Sequence, residues 1–257
     1  MDGTSMKQAK TALQYGLTQL RPQDSFNIIR FSDDVDSLFR QAKVASRNNI
    51  DTAHDYVNWL RADGGTEMAP ALEMALQAEQ VIKGIRQVVF LTDGSVGNED
   101  ELFSIIEQDL GNSRLFTVGI GSAPNSHFMH RAALFGRGSH SYIGSEDEVR
   151  QKMQTLFNKL SHPVLTDIKL KLDDAVVEVW PKTVPDLYLG EPLILTLKAK
   201  TLPDEIVLSG VYGKQIWQQK VALQGGGESE AVSVLWARRK ISGLMDDYRR
   251  AGEDNDL

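Results

Sequence analysis

Hydrophobic positions in the first two thirds of the chain follow two alternating periods. Segments with apolar residues at helical spacing alternate with short apolar runs, and the connections are short. This alternation is typical of a mostly parallel sheet with helices on both faces. The predicted helices are 6–20, 49–60, 70–76, 98–110, 126–135 and 145–160, and the predicted strands are 25–31, 37–40, 88–91, 115–120 and 139–143.

From Pro163 onward the period changes to strict apolar–polar alternation, which is typical of half-exposed antiparallel strands. Strands are predicted at 167–172, 177–180, 193–199, 206–212 and 215–223, and a helix at 231–250. We therefore expect an α/β domain with a doubly wound, mostly parallel sheet over residues 1–162. A β-rich region with a terminal helix is expected over residues 163–257.

One strand ends in a candidate functional residue. Val88, Val89, Phe90 and Leu91 form an unbroken apolar run, which predicts a strand covered on both faces. Asp93 and Gly94 follow, at the position where open α/β sheets place their ligands. The alternative is a simple Asp-Gly turn in which the carboxylate bonds local backbone amides.

Composition and charge narrow the classes of function. The 257 residues are 41% hydrophobic and 25% charged, as in an ordinary globular protein. The net charge of -7 argues against nucleic acid as a main partner, since phosphate binding needs a basic surface. The absence of cysteine excludes disulfides, thiolate metal sites and a cysteine nucleophile. No apolar run has the length of a membrane span, so we expect no membrane insertion by this segment.

Several motifs together resemble the von Willebrand factor type A domain, and more specifically that of inter-alpha-trypsin inhibitor heavy chains and their bacterial relatives. Motifs in the tail fit the same family, so the resemblance covers nearly the whole chain. The motifs are Gly3-Thr4-Ser5-Met6, Gly64-Gly65-Thr66-Glu67, Thr92-Asp93-Gly94, Pro163-Val164-Leu165-Thr166-Asp167, Pro185-Asp186-Leu187 with Gly190, and Trp236-Ala237-Arg238-Arg239-Lys240.

The resemblance implies a Mg²⁺ site at the carboxyl edge of the sheet, with Thr66 and Asp93 as ligands. Mg²⁺ prefers octahedral oxygen ligands, and a partner's carboxylate can fill an open position. The family also uses an Asp-x-Ser-x-Ser segment after its first strand, which is absent here. Asp2 and Thr4 are poor substitutes because they lie one motif too late. We therefore expect Mg²⁺ to bind weakly or not at all to this chain, although the intact parent would bind it.

The resemblance also implies a non-enzymatic protein-binding or adhesion module of a cell-envelope or secreted protein, truncated at its N-terminus and lacking its first strand. That strand would be central in the sheet. Strands 25–31 and 86–92 would then each lose a neighbour, and bare edges recruit other strands. We expect the gap to be filled either by closure of the sheet or by a strand-swapped homo-oligomer.

Other interpretations stay open at this point. Asp93 could be the nucleophile of a phosphoryl-transfer enzyme, although that chemistry needs supporting groups, and Lys83 and Glu99 are near only in sequence. The chain could also be a scaffold that binds without metal. His127 and His130 could share a helix face as a zinc pair, but a third ligand is not evident. The stretch 119–124 lacks the third glycine of a dinucleotide site and predicts a turn.

Overall fold

The structure is a computed structural model of the chain. It describes residues 3–62, 64–78, 84–94, 97–121, 125–162, 165–171, 176–182, 184–201, 203–227 and 229–253. The chain divides into two compact units, residues 1–161 and 162–257.

The first unit alternates helices and strands, as predicted. Its helices are α1 (Gly3–Gln19), α2 (Arg47–Trp59), α3 (Met68–Gln77), α4 (Glu99–Asp109), α5 (Ser126–Phe135) and α6 (Val149–Ser161). Its strands are β1 (Ser25–Phe26), β2 (Ile29–Phe31), β3 (Val35–Ser37), β4 (Lys43–Val44), β5 (Gln87–Thr92), β6 (Arg114–Ile120) and β7 (Arg137–Ile143).

The parallel sheet β5–β6–β7 is the centre of this unit. Its ladders continue to the carboxyl ends, where Thr92 pairs with Gly119 and Ile120 pairs with Ile143, although the β6–β7 ladder has an irregularity between Leu115 and Thr117. All seven residues of β6 are buried, which requires cover on both faces. The predicted α/β class is confirmed.

Two apolar clusters hold the helices of this unit in place. One joins α3, α4 and α5 to the sheet and includes Leu72, Ile106, Leu115 and Met129. The other joins α1 and α2 to the segment between them through residues such as Leu17, Phe26 and Val57. Burial of side chains of this size contributes roughly 1.5–3 kcal/mol each, so these clusters are the main source of stability.

The predicted strand 25–31 is wrong in one respect, because it is broken at Asn27. The Asn27 side-chain oxygen accepts hydrogen bonds from the backbone N–H groups of Ile28 and Phe39, at 2.9 and 3.0 Å. Its amide nitrogen donates to the Phe39 carbonyl at 2.7 Å. The side chain thus replaces a rung of backbone pairing. The strand divides into β1, which pairs with β4, and β2, which pairs with β3.

Two helix starts lack the side-chain cap that Asn98 and Ser145 could supply. Asn98 makes no capping bond to α4, because its amide binds the Glu101 carboxylate instead. Ser145 makes no side-chain cap either, and the Glu148 carboxylate accepts from the Gly144 N–H at 3.0 Å. A 3₁₀ turn, Glu146–Glu148, therefore precedes α6.

The second unit is antiparallel, as its alternating pattern predicted. Its elements are β8 (Leu165–Lys171), β9 (Val176–Trp180), β10 (Thr196–Ala199), β11 (Glu205–Tyr212), β12 (Gln215–Ala222) and α7 (Glu230–Glu253). One sheet has the order β12–β11–β8, and a separate hairpin joins β9 to β10. Helix α7 packs on this hairpin, with Gly243 directly against the Trp180 ring.

The outer edge of β5 has no strand partner among the described residues, since β2 and β5 belong to separate sheets. Only side chains join them here, as the rings of Phe31 and Phe90 stack with centroids 5.3 Å apart. Val88 to Leu91 are accordingly half-buried, although β6 beside them is fully buried. The expectation that the sheet closes on itself is therefore wrong, because ring stacking links the strands without the backbone hydrogen bonds of a ladder. Filling by a strand from another copy stays a prediction.

Amide hydrogen exchange along β5 tests that prediction. In a parallel strand, alternate residues direct their N–H groups to opposite neighbours, so half of the amides of Gln87–Thr92 face β6 and half face the open edge. If a second copy supplies the missing strand, we expect every amide of β5 to be protected. Rapid exchange of every second amide at high protein concentration would rule out the swap.

His140 in β7 is a second testable feature of the sheet. The Thr117 hydroxyl donates to the Met129 carbonyl at 2.7 Å and lies 3.0 Å from His140 Nδ1. Because the hydroxyl has one proton, Nδ1 must carry the proton of that second bond. Burial lowers the pKa of His140, the nearby His130 lowers it further, and a hydrogen bond to Thr117 acts in the opposite direction.

We therefore expect stability to fall with acidity. A histidine whose folded pKa lies below its ordinary 6.5 binds fewer protons in the folded than in the unfolded state. Its contribution is complete above 6.5 and is lost as the pH falls from there toward the folded pKa. Urea unfolding across this window should show a shallower pH slope for His140→Gln than for the unmodified chain. The exposed His127→Gln is the control, and equal slopes for all three proteins would contradict the assignment.

Candidate functional site

The turn after β5 positions Asp93 at the carboxyl edge of the sheet. The buried Thr92 hydroxyl accepts a hydrogen bond from the Gly94 N–H at 3.1 Å. This local side-chain bond reverses the chain directly after the strand. Asp93 stands between the two residues and is partly exposed.

The loop before α3 is tied to the turn between β2 and β3. The Gly65 N–H donates to the Asp33 carboxylate, and the Glu67 N–H donates to the Ser32 carbonyl at 2.9 Å. Gly64 has a φ of +86°, and a Cβ there would lie 2.3 Å from an Asp33 carboxylate oxygen. Glycine is therefore required at position 64 for both its backbone conformation and its closeness to Asp33.

This loop brings Thr66 to the end of β5. A Cβ built on Gly94 would lie 3.6 Å from the Thr66 methyl carbon and 3.7 Å from the Met68 methyl. Both are ordinary contact distances, so Thr66 lies beside the Asp93-Gly94 turn. Its side chain is exposed. The two residues that the sequence singled out are thus neighbours at one edge of the sheet.

The turn after β6 lies beside a third side-chain oxygen, the hydroxyl of Ser5 on α1. Gly121 has a φ of +81°, and a Cβ there would lie 2.6 Å from the Ser5 hydroxyl and 3.9 Å from the Asp93 Cβ. The Gly121 N–H donates to the Ile143 carbonyl at 3.0 Å, and its carbonyl accepts from the Tyr142 hydroxyl at 2.7 Å. Strand β7 therefore holds Gly121 where Ser5 and Asp93 meet. We call Ser5, Thr66 and Asp93 the rim site.

Sequence reasoning missed Ser5. It considered Asp2 and Thr4 as substitutes for the absent segment, and Asp2 lies outside the described residues. Ser5 precedes the buried Gln8 by one helical turn, so both lie on the inward face of α1. That spacing is the signal that would have pointed to Ser5. The start of α1 at Gly3 also favours a nearby negative charge such as Asp93.

The rim site has the kind of ligand atom that a hard divalent cation binds, but it has too few of them. Its side-chain donors are two hydroxyls and one carboxylate, all of them the oxygen ligands that Mg²⁺ prefers. Only one of the three is charged, however. No group of three or more His, Asp or Glu side chains that could hold a metal occurs in the part of the chain that the structure describes.

Other candidate sites receive less support. Of the two groups considered as helpers of Asp93 in phosphoryl transfer, Glu99 accepts a hydrogen bond from Asn125 at 2.7 Å, and Lys83 lies outside the described residues. His130 lies near His140, with ring centroids 6.5 Å apart, and a third zinc ligand is again not evident among the described residues. Of the stretch 119–124, positions 122–124 lie outside the described residues.

Known proteins are similar to this chain in sequence and in fold. Residues 1–142 match the sequence profile of the von Willebrand factor type A domain. The chain belongs to the von Willebrand factor type A family. The resemblance inferred from the motifs is thereby confirmed, and it extends to the inter-alpha-trypsin inhibitor heavy chains.

Two curated relatives of this type A chain show the extent of the similarity. A von Willebrand factor A domain-containing protein of Dictyostelium discoideum is 28% identical over 217 residues, covering 83% of this chain and 24% of the relative. Inter alpha-trypsin inhibitor, heavy chain 4 of Mus musculus is 26% identical over 238 residues, covering 87% and 25%. The chain thus spans about a quarter of the length of these two relatives.

A solved structure supports the fold of the type A chain. The von Willebrand factor type A protein from Catenulispora acidiphila aligns with a TM-score of 0.65 over 84% of this chain and 61% of that one, at 16% identity. The shared fold therefore extends beyond the matched 142 residues into the β-rich second unit.

We expect the rim site to bind Mg²⁺ more weakly than micromolar, because one carboxylate and two hydroxyls leave most of the coordination to water. Calorimetric titration should show a small or undetectable heat. Asp93→Ala should remove any residual binding, since it deletes the single charged ligand, whereas Asp100→Ala on the exposed surface of α4 should not. A micromolar dissociation constant would show that this chain supplies further ligands.

Proposed function

We propose that this type A chain is a non-enzymatic protein-binding module, and that its contact surface is the rim site. The observation that supports the proposal is that Ser5 and Asp93 both lie beside Gly121, and Thr66 beside Gly94, at the carboxyl edge of the parallel sheet. Ligands of open α/β folds bind at this edge, where loops diverge from the strand ends. Thr66 is exposed and Asp93 partly exposed, so a partner can reach both.

Metal dependence belongs to the intact parent in this proposal. There Thr66 and Asp93 are two ligands of a Mg²⁺ ion, and an Asp-x-Ser-x-Ser segment supplies the others. The cation provides an electrophilic point that a carboxylate of the partner protein can coordinate. In the present chain the Thr66 hydroxyl can donate a hydrogen bond, the Asp93 carboxylate can accept one, and the two offer a weak cation site. A contact without metal is therefore its basal mode.

The adhesion role and its location extend the same proposal. We place the parent at a cell envelope or outside the cell, because the family resemblance includes the inter-alpha-trypsin inhibitor heavy chains. No helix in the described ranges has the length and apolarity needed to cross a membrane.

The competing proposal, phosphoryl transfer by Asp93, needs an acid–base group and a cation from the protein beside the nucleophile. The Glu99 carboxylate is bonded to Asn125, as described above. We therefore favour binding over catalysis at this edge.

The test is a titration with a short aspartate-containing peptide, followed by the amide NMR signals of the chain with and without Mg²⁺. We expect saturable shifts at Ser5, Gly94 and Gly121, and stronger binding with Mg²⁺ present. Asp93→Ala should abolish the Mg²⁺ enhancement, and Asp100→Ala should retain it. Shifts that avoid these residues would refute the proposed contact surface. Turnover of a phosphate ester that disappears in Asp93→Ala would favour the enzyme instead.

A further inference from the structure

Helix α7 has two faces of different kinds. One face packs on the β9–β10 hairpin through three contacts. Gly243 meets the Trp180 ring, the Lys240 ammonium pairs with the Glu178 carboxylate at 2.9 Å, and the Arg239 guanidinium donates to the Ile194 carbonyl. Lys240 and Lys198 also lie 5.0 and 5.5 Å from the centroid of the Trp236 ring between them. This face is occupied.

The opposite face is apolar and exposed. At about 100° per residue, its members fall within a strip roughly opposite Gly243. The exposed fractions of its large side chains are Val234 43%, Ile241 56%, Leu244 47%, Met245 52% and Tyr248 80%. The smaller Ala237 lies between Val234 and Ile241 on the same strip and is half-buried. We call these six residues the α7 stripe. A continuous apolar strip of this kind marks an interaction surface.

The spacing of the α7 stripe is that of a two-helix seam. Val234, Ile241 and Tyr248 are seven residues apart, and Ala237 and Leu244 follow the first two by three residues. This is the alternation of a and d positions in a coiled coil. The stripe extends over about 21 Å at 1.5 Å per residue, and this length contains five a and d positions, from Val234 to Tyr248.

The pattern is complementary to itself when a second copy runs in the opposite direction. With a two-fold axis between Ser242 and Gly243, Ile241 of one copy faces Leu244 of the other. The same axis places the small Ala237 opposite the large Tyr248, so the four central layers combine side chains that fill the seam together, and Val234 lies outside them. In a parallel pair Tyr248 would face Tyr248 and Ala237 would face Ala237. The tyrosine layer would then be crowded, and the alanine layer would leave a void.

We propose that the α7 stripe is a homodimer interface in which two copies of this chain pair their α7 helices antiparallel about that two-fold axis. A symmetric contact buries the same surface on both copies and closes on itself, so it yields dimers and not fibres. Because one helix from each copy forms the contact, we expect it to be smaller than standard interfaces of roughly 1,600 Å² and the dimer to dissociate at low concentration. It lies in the second unit and does not depend on the rim site.

Sedimentation velocity over a concentration series tests the association. We expect a reversible monomer–dimer equilibrium, weakened at least tenfold by Ile241→Glu and by Leu244→Glu, since each places a charge in the central layer. The matched control is Ile216→Glu, which makes the same change at an exposed position of β12 outside the stripe. Circular dichroism verifies that each variant is folded. A monomer at every concentration, or a dimer that Ile241→Glu leaves unchanged, overturns the proposal. A dimer that Ile241→Glu leaves unchanged is also the result expected if the copies associate by strand exchange at β5.

Disulfide cross-linking tests the direction of pairing, because the chain has no cysteine of its own. In the antiparallel arrangement, Ala237→Cys mixed with Tyr248→Cys brings two thiols into facing positions. Two copies of Ala237→Cys alone would be about 16 Å apart along the axis, well beyond disulfide reach. We expect rapid cross-linking in the mixture and little in either variant alone. Cross-linking of each variant with itself, but not with the other, would overturn the antiparallel interface.

Discussion

The register of the parallel ladder between β5 and β6 is the constraint on which the functional edge depends. Thr92 pairs with Gly119, so Asp93 follows β5 at the level of Ile120, and Gly121 comes one residue later. The other members of the rim site come to this edge from other elements. Gly121 has a positive φ and lacks the Cβ that would collide with Ser5, and Thr66 reaches the edge through a loop tied to Asp33. A shift of one residue in the ladder would separate these oxygens.

Among the described residues, strand β5 of this ladder has a hydrogen-bonded neighbour on one side only. β6 is buried along its whole length between two partners, whereas β5 is half-buried because its other edge lacks hydrogen bonds to a strand among the described residues. The stacked rings of Phe31 and Phe90 bring the β2–β3 hairpin close through side chains alone. Ring stacking of this kind contributes about 0.5–1.5 kcal/mol. A paired strand would contribute more, because it would add several backbone hydrogen bonds and bury the side chains beside them. The strand that positions Asp93 is thus the one whose pairing is least complete.

The second unit shows how one helix can serve two purposes. The glycine at position 243 allows α7 to approach Trp180 closely, and Lys240 joins the helix to Glu178, which lowers the pKa of that carboxyl. These contacts settle which face of α7 points inward. Helical geometry then places the apolar α7 stripe on the other face. The stripe is apolar and has a seven-residue spacing, whereas the rim site of the first unit is polar.

The amino-acid pattern alone determined the α/β class, the change to antiparallel strands near Pro163, and the place of Asp93 at a strand end, because periodicity reports which faces of each element are buried. It also brought Thr66 into the candidate site, through the family resemblance. Only the tertiary structure revealed the break at Asn27 and the arrival of Ser5 at the rim. Both depend on side chains distant in sequence, the Phe39 backbone in one case and Gly121 in the other, and no local pattern contains that information.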